Sequence, residues 1–385
     1  MKRIRNIGIM AHIDAGKTTT TERLLFLSGY SRRVGEVHDG DTIMDYLPLE
    51  RERGITINSA AISFQWANHD INLIDTPGHV DFTVEVERSL RVLDGAIAIF
   101  DGVAGVEAQS ETVWEQADRY GVPRIGFVNK MDREGASYER TAAAMAARLG
   151  ATPVLCQLPL GEAAEFQGIV DLISMRSYLW KDEEELSFKE VPLTSYSPAI
   201  AEKAESQRLA MLEAVADADD TFAEVFLDGK VKESDVIAAL RRTTILPGSR
   251  IVPLLCGSAY KNKAIQPLLD AVVDFLPSPE ERPPLLAHPI KRNAKVERKP
   301  SASEPLCALA FKVQKDDSRG PLVFFRVYSG TLRRGMPLLN TTQNTKERPN
   351  KLLQVWQHHP AATLTSAEAC AVPGCRTRSA PSCRC

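Results

Sequence analysis

Ala11-His12-Ile13-Asp14-Ala15-Gly16-Lys17-Thr18 is the stretch that decides the fold. It follows an apolar strand, Ile4-Arg5-Asn6-Ile7-Gly8-Ile9-Met10, and opens a helix predicted over 18–27. A Gly-Lys-Thr turn between a strand and a helix is a phosphate loop, because its backbone N–H groups and the helix N-terminus face an anion. Lys17 would reach the β- and γ-phosphates and the Thr18 hydroxyl would bind Mg²⁺. Within the loop, Lys17 and Asp14 are the candidates for catalysis. Ala11 stands where the common template has Gly, so the loop alone also fits a helix N-cap beside a solvated lysine.

Three further motifs, each ending a predicted strand, remove that alternative. Asp75-Thr76-Pro77-Gly78-His79 lies 58 residues after Lys17. A carboxylate there can hold the Mg²⁺ shell, and the Gly78 amide can sense a γ-phosphate. Asn129-Lys130-Met131-Asp132 follows 54 residues later. Asp132 can accept both the guanine N1–H and the exocyclic amine, which adenine does not offer; Asn129 can brace the loop and Lys130 can lie over the base. Gly257-Ser258-Ala259 ends the last such strand, and a backbone N–H there would donate to guanine O6. Open α/β sheets bind ligands at the carboxyl ends of their strands, where all four motifs fall.

Around these motifs, apolar strands alternate with amphipathic helices from residue 5 to 259, the pattern of an α/β domain with a mostly parallel sheet. The runs 96–100 and 125–128 are continuously apolar, as central strands covered on both faces should be. Segments 62–66 and 71–74, either side of Asn68, predict a hairpin. Between about 161 and 248 the pattern changes to helices at 200–215 and 234–243 with acidic connections, which predicts a helical or mixed insertion into a domain spanning 1–282. The charge run Asp182 to Glu185 reads as a solvated loop. Residues 283–305 are rich in Pro, Lys, Arg and Ser and read as a linker. The period then switches to two at 306–313 and 321–328, predicting a β-barrel domain that stops incomplete at 356, with 357–385 as an unstructured, unrelated tail.

Composition sets limits on what this chain can do. With 385 residues, 44% hydrophobic, 25% charged and a net charge of −3, it is an ordinary globular sequence with no global basic field to draw it onto RNA. No run reaches the roughly 18 apolar residues of a membrane span, and Met1-Lys2-Arg3 leads straight into a strand with no secretory or transit pattern. Cys156, Cys256 and Cys307 sit among apolar neighbours, as buried free thiols do in a reducing compartment. Cys370, Cys375, Cys383 and Cys385 crowd the end at spacings that match no zinc template.

Arg51-Glu52-Arg53-Gly54-Ile55-Thr56-Ile57, Thr76-Pro77-Gly78-His79-Val80-Asp81-Phe82, Gly168-Ile169-Val170-Asp171-Leu172 and Gly257-Ser258-Ala259-Tyr260-Lys261-Asn262-Lys263 together resemble elongation factor G and its relatives. The resemblance covers about 4–356. It implies that Thr56 closes over Mg²⁺ and the γ-phosphate, that His79 orients the attacking water, and that the insertion separates the chain from the smaller elongation factor Tu class. Ser28-Gly29-Tyr30, Asp39-Gly40-Asp41-Thr42, Gly105-Val106-Glu107-Ala108-Gln109 and the segment 306–313 most resemble the mitochondrial, ribosome-releasing branch of that family. That likeness implies a GTPase of ribosome recycling, working as a monomer with the ribosome, its RNA and the recycling factor in the mitochondrial matrix. A translocating factor is the other reading within the family. A third is a GTP-binding fragment without ribosome activity, since family members continue through further domains. The sequence as it stands, with no presequence, would remain in the cytoplasm.

Overall fold

The computed structural model describes residues 2–33, 35, 42, 60–75, 83–180, 187–287, 295–316, 320–354, 360–361, 363–365 and 369–373. An inner strand of its main sheet leads into the phosphate loop: β1 (Ile4–Ala11), buried from Arg5 onward. After α1 (Lys17–Leu27) come the hairpin β2 (Ala60–Trp66) and β3 (His69–Asp75), then α2 (Thr83–Leu90), β4 (Gly95–Asp101), α3 (Ala108–Arg119), β5 (Arg124–Asn129), α4 (Tyr138–Leu149) and β6 (Thr152–Leu155). The hairpin turns through Ala67 and Asn68, both at positive φ (43° and 59°), a conformation that Asn tolerates better than most residues.

The insertion follows. Strands β7 (Gln157–Leu160), β8 (Gly168–Asp171), β9 (Arg176–Leu179) and β10 (Lys189–Val191) form an antiparallel sheet in the order β10-β9-β8-β7. Helices α5 (Pro198–Ala216), α6 (Asp220–Leu227) and α7 (Glu233–Ile245) complete it. Its sheet thus starts at Gln157, a few residues before the predicted 161, because the two-residue alternation is too brief there to announce itself. The charge run 182–185 lies outside the described residues.

β11 (Ile251–Cys256) returns to the main sheet, whose order is β2-β3-β1-β4-β5-β11-β6. Every pairing is parallel except β2 with β3. β1 lies between β3 and β4, and the crevice outside its carboxyl end is where the strand order reverses. Alternate residues along each strand face opposite layers. Ile7, Ile9, Ile97, Ile99 and Phe127 pack with Leu24 of α1 and Leu268 of α8 (Ile265–Phe275). Met10, Ala96, Ala98 and Phe100 pack on the other side with Leu90, Trp114 and Met145. Burying such side chains fully contributes about 1.5–3 kcal/mol each.

The rest is β-rich. A short hairpin, β12 (Leu285–Ala287) with β13 (Val296–Arg298), occupies the stretch read as a linker. β14 (Cys307–Asp316) and β15 (Gly320–Ser329) are the long strands. Then come β16 (Thr331–Arg333), β17 (Leu338–Asn340), β18 (Thr345–Glu347), β19 (Leu352–Gln354), β20 (Pro360–Ala361), β21 (Thr363–Thr365) and β22 (Ala369–Pro373). β14, β15, β22, β19 and β20 make one five-stranded sheet in that order. The expected unstructured tail from 357 is therefore corrected at 360–361, 363–365 and 369–373, where strands of two to five residues are too short to show a period. Residues 374–385 lie outside the described residues. Cys307 is disulfide-bonded, correcting its reading as a free thiol, since apolar neighbours suit a half-cystine equally well; Cys156 and Cys256 are free and buried.

The β-rich part packs directly on the α/β part. Phe311 joins the cluster that holds Val86 and Leu90 of α2, and Tyr328 Oη donates to the Arg91 carbonyl at 3.0 Å. Arg326 forms an ion pair with Asp94 at 2.6 Å and bonds to the Val92 carbonyl. Among the described residues, no helix is long and apolar enough to cross a membrane.

Candidate nucleotide site

The phosphate loop is shaped by its backbone. Asp14 at φ 62° and Gly16 at φ 89° are both left-handed, so successive N–H groups curl around one point before α1 begins at Lys17. Ala11, His12 and Ala15 are buried, whereas Ile13 and Asp14 are exposed. A Cβ on Gly16 would lie 2.3 Å from Asn129 Nδ2, so only glycine permits this approach. Lys17, nearly buried, places Nζ 2.7 Å from Asp75 Oδ1 at the end of β3. Thr18, also buried, occupies the next position of α1.

Asn129 holds the site together. Its Nδ2 donates to the Ala15 carbonyl and its Oδ1 accepts from the Ala259 N–H, both at 2.9 Å. One side chain thus joins the phosphate loop, the end of β5 and the loop after β11. The two latter loops also meet through the Met131 N–H and the Gly257 carbonyl (3.1 Å) and the Gly257 N–H and the Val128 carbonyl (2.9 Å). Ser258 and Ala259 are wholly buried. The Ala259 N–H, one of the candidate donors to guanine O6, points to Asn129 in this arrangement. Asp132 presents a buried Oδ1 with no hydrogen-bond partner. Lys130, at φ 63°, is anchored by Asp101 through a 2.7 Å ion pair. Burial opposes ionisation of Asp101, but Lys130 and the N–H groups of Val103 and Ala104 more than offset it and hold its carboxyl below the usual range.

Sequence reasoning missed several supporting side chains. Arg23 reaches back from α1 to the Ala259 carbonyl at 3.1 Å. Gln109, at the start of α3, accepts from the Ile13 N–H at 2.9 Å, and Ser110 Oγ lies 3.1 Å from His12 Nδ1. Burial outweighs the nearby Glu107 and Asp101 carboxylates and lowers the His12 pKa, which keeps this imidazole neutral at pH 7. The Arg–carbonyl and Gln–amide contacts join residues that are distant along the chain, so no local spacing announced them. Thr56 and Thr76, Pro77, Gly78 and His79 lie outside the described residues.

The donor set suits Mg²⁺. A buried carboxylate, Asp75, and a hydroxyl, Thr18, flank the phosphate loop, and Mg²⁺ is commonly held by one or two protein oxygens together with phosphates and water. Such a site needs no cluster of three or more acidic or imidazole side chains, and none occurs among the described residues.

Fold and site define a phosphate-loop nucleotide-binding protein. A model of the elongation factor Tu GTP binding domain matches residues 2–278, and one of elongation factor G domain 2 matches 305–375. The chain is 52% identical over 360 residues to elongation factor G 2 of Syntrophus aciditrophicus (strain SB), which covers 92% of this chain and 52% of that protein. A crystal structure of a protein from Thermus thermophilus superposes with a TM-score of 0.80 at 26% identity, over 97% of this chain and 52% of that one. The chain belongs to the elongation factor G family of translational GTPases. It spans about half the length of the relatives it matches.

Proposed function

We infer that this chain binds GTP with Mg²⁺ in the crevice at the end of β1 and hydrolyses it, with the ribosome as its partner. The observation that carries this reading is the junction made by Asn129, which brings the phosphate loop and both base loops together with the buried, unpartnered Oδ1 of Asp132 beside them. Backbone N–H groups of 14–18 and the Lys17 ammonium bind the phosphates. Asp132 accepts from the guanine edge and Lys130 covers the base. Bound Mg²⁺, held by Thr18 and Asp75 and, by family resemblance, Thr56, would neutralise phosphate charge. His79 orients the attacking water on the same resemblance. The domain reading that goes with this is a nucleotide domain over 1–282 and a β domain from 306.

Within the family, the stretches 28–30, 39–42 and 105–109 favour ribosome recycling in mitochondria, with the recycling factor as co-partner. The test has two arms. Displacement of a fluorescent GDP should occur with GTP and not with ATP; equal displacement by ATP would remove the guanine assignment. Mitochondrial ribosomes should then dissociate into subunits in sedimentation when chain, GTP and recycling factor are combined. Movement of messenger RNA without dissociation would assign translocation instead, and nucleotide binding with neither effect would leave a GTP-binding fragment.

A further inference from the structure

A line of polar side chains crosses the main sheet at the end opposite the nucleotide crevice. Ser63 Oγ on β2 donates to Asn72 Oδ1 on β3 at 2.5 Å. Asn72 Nδ2 donates to Asn6 Oδ1 on β1 at 2.7 Å. Asn6 Nδ2 donates to Asp94 Oδ2 at 2.7 Å, and Asp94 Oδ1 accepts from Arg326 on β15 at 2.6 Å. Ser63, Asn6, Asp94 and Arg326 are buried and Asn72 is half-buried. Every donor points toward the one carboxylate, so each bond polarises the next in the same sense. Nothing in the alternation of a sheet requires polar side chains at neighbouring positions across three strands, where apolar residues would pack at less desolvation cost.

We propose that Ser63, Asn72, Asn6, Asp94 and Arg326 are positioning residues that tie the β domain to the nucleotide site. The geometry gives the reason. Asn6 and Asn72 are partners in the β1–β3 register, and three residues further on Ile9 is the partner of Asp75. The amide pair therefore fixes the height of Asp75 against the strand that ends in the phosphate loop, and with it the 2.7 Å contact of Asp75 with Lys17. Ser63 extends the same constraint to β2, the strand that follows the segment carrying Thr56. Arg326 makes the β domain the far anchor. A displacement of the β domain is then felt at Asp75 and at the start of β2, and by linkage nucleotide binding is felt in the β domain.

The inference rests on the nucleotide site proposed above, and hydrogen exchange of the full chain separates the two. With GDP and Mg²⁺, amides of the phosphate loop should be protected, and amides of β15 should slow at least about threefold. In Asn72→Ala, which breaks the middle of the line without burying a charge, phosphate-loop protection should persist while the β15 response falls toward none. Asn72→Leu breaks the same bonds to Ser63 and Asn6 with little change of volume and carries the same test should Asn72→Ala not fold. A β15 response absent in the parent, or unchanged in both variants, overturns the positioning role. A parent without phosphate-loop protection overturns the site itself and the coupling with it.

Discussion

At Asp132, one carboxylate oxygen is buried with no hydrogen-bond partner, and leaving a buried acceptor so costs about 1–3 kcal/mol. A guanine edge, as proposed above, would supply two adjacent donors and relieve that cost. Asp132→Asn replaces one acceptor with an amide donor, which faces the guanine N1–H. GTP affinity should fall roughly tenfold or more, converting about 1–3 kcal/mol, while a xanthosine nucleotide gains. Unchanged GTP affinity in a titration would count against the base assignment. Binding and chemistry should divide between other residues. Lys17 lies against Asp75 inside the crevice, so Lys17→Ala should weaken nucleotide binding outright. His79 is assigned to the water, so His79→Ala should leave GTP affinity nearly intact and depress ribosome-stimulated hydrolysis. A fall in affinity alone, with stimulated turnover per bound nucleotide preserved, would reverse that role.

The turn between β1 and α1 shows why the site was legible at the level of elements. Phosphate contact needs left-handed residues set between others, as Asp14 and Gly16 are on either side of Ala15, and such turns advertise themselves through glycine beside lysine and a hydroxyl. Gly16 has a second requirement that the motif alone does not reveal: a Cβ there would lie 2.3 Å from Asn129 Nδ2. Asn129 cannot retreat, because it is bonded at both ends to Ala15 and Ala259. Gly16→Ala should therefore break the junction as well as incur about 1–2 kcal/mol for a left-handed alanine. The expected outcome is a loss of nucleotide affinity larger than that strain alone gives, beyond roughly thirtyfold by titration; a loss within about tenfold would mean that Asn129 moves aside freely. The same contrast governs the rest of the sequence reading. The continuously apolar β4 and β5 and the amphipathic α8 were evident, because burial on both faces or along one stripe leaves a long pattern. β18 to β22, at two to five residues each, leave none. Gln109 on the Ile13 amide and Arg23 on the Ala259 carbonyl were invisible for another reason, since each depends on a tertiary approach that no spacing encodes.

Across the whole molecule, the junction between the α/β and β-rich parts is built around one ion pair rather than a wide apolar contact alone. Phe311 packs with the cluster around α2, and beside it Arg326 and Asp94 keep side chains only 6% and 2% exposed. Asp94 also accepts from Asn6, so its charge is compensated from both parts of the chain. Burial works against the Arg326 charge, but Asp94 and Tyr328 more than offset it and raise the pKa of the guanidinium, so Arg326 keeps its charge. Removing one partner of such a pair leaves the other buried and uncompensated, which costs about 3–5 kcal/mol. Arg326→Met preserves most of the side-chain length and removes the charge. It should lower stability by about that amount in urea unfolding followed by circular dichroism. Adding Asp94→Asn to Arg326→Met removes the stranded charge and still accepts from Asn6, so the double variant should recover part of the loss. A single variant that unfolds within about 1 kcal/mol of the parent, the range of an exposed ion pair, would mean that water reaches Asp94 and that the two parts are not clasped as this structure has them.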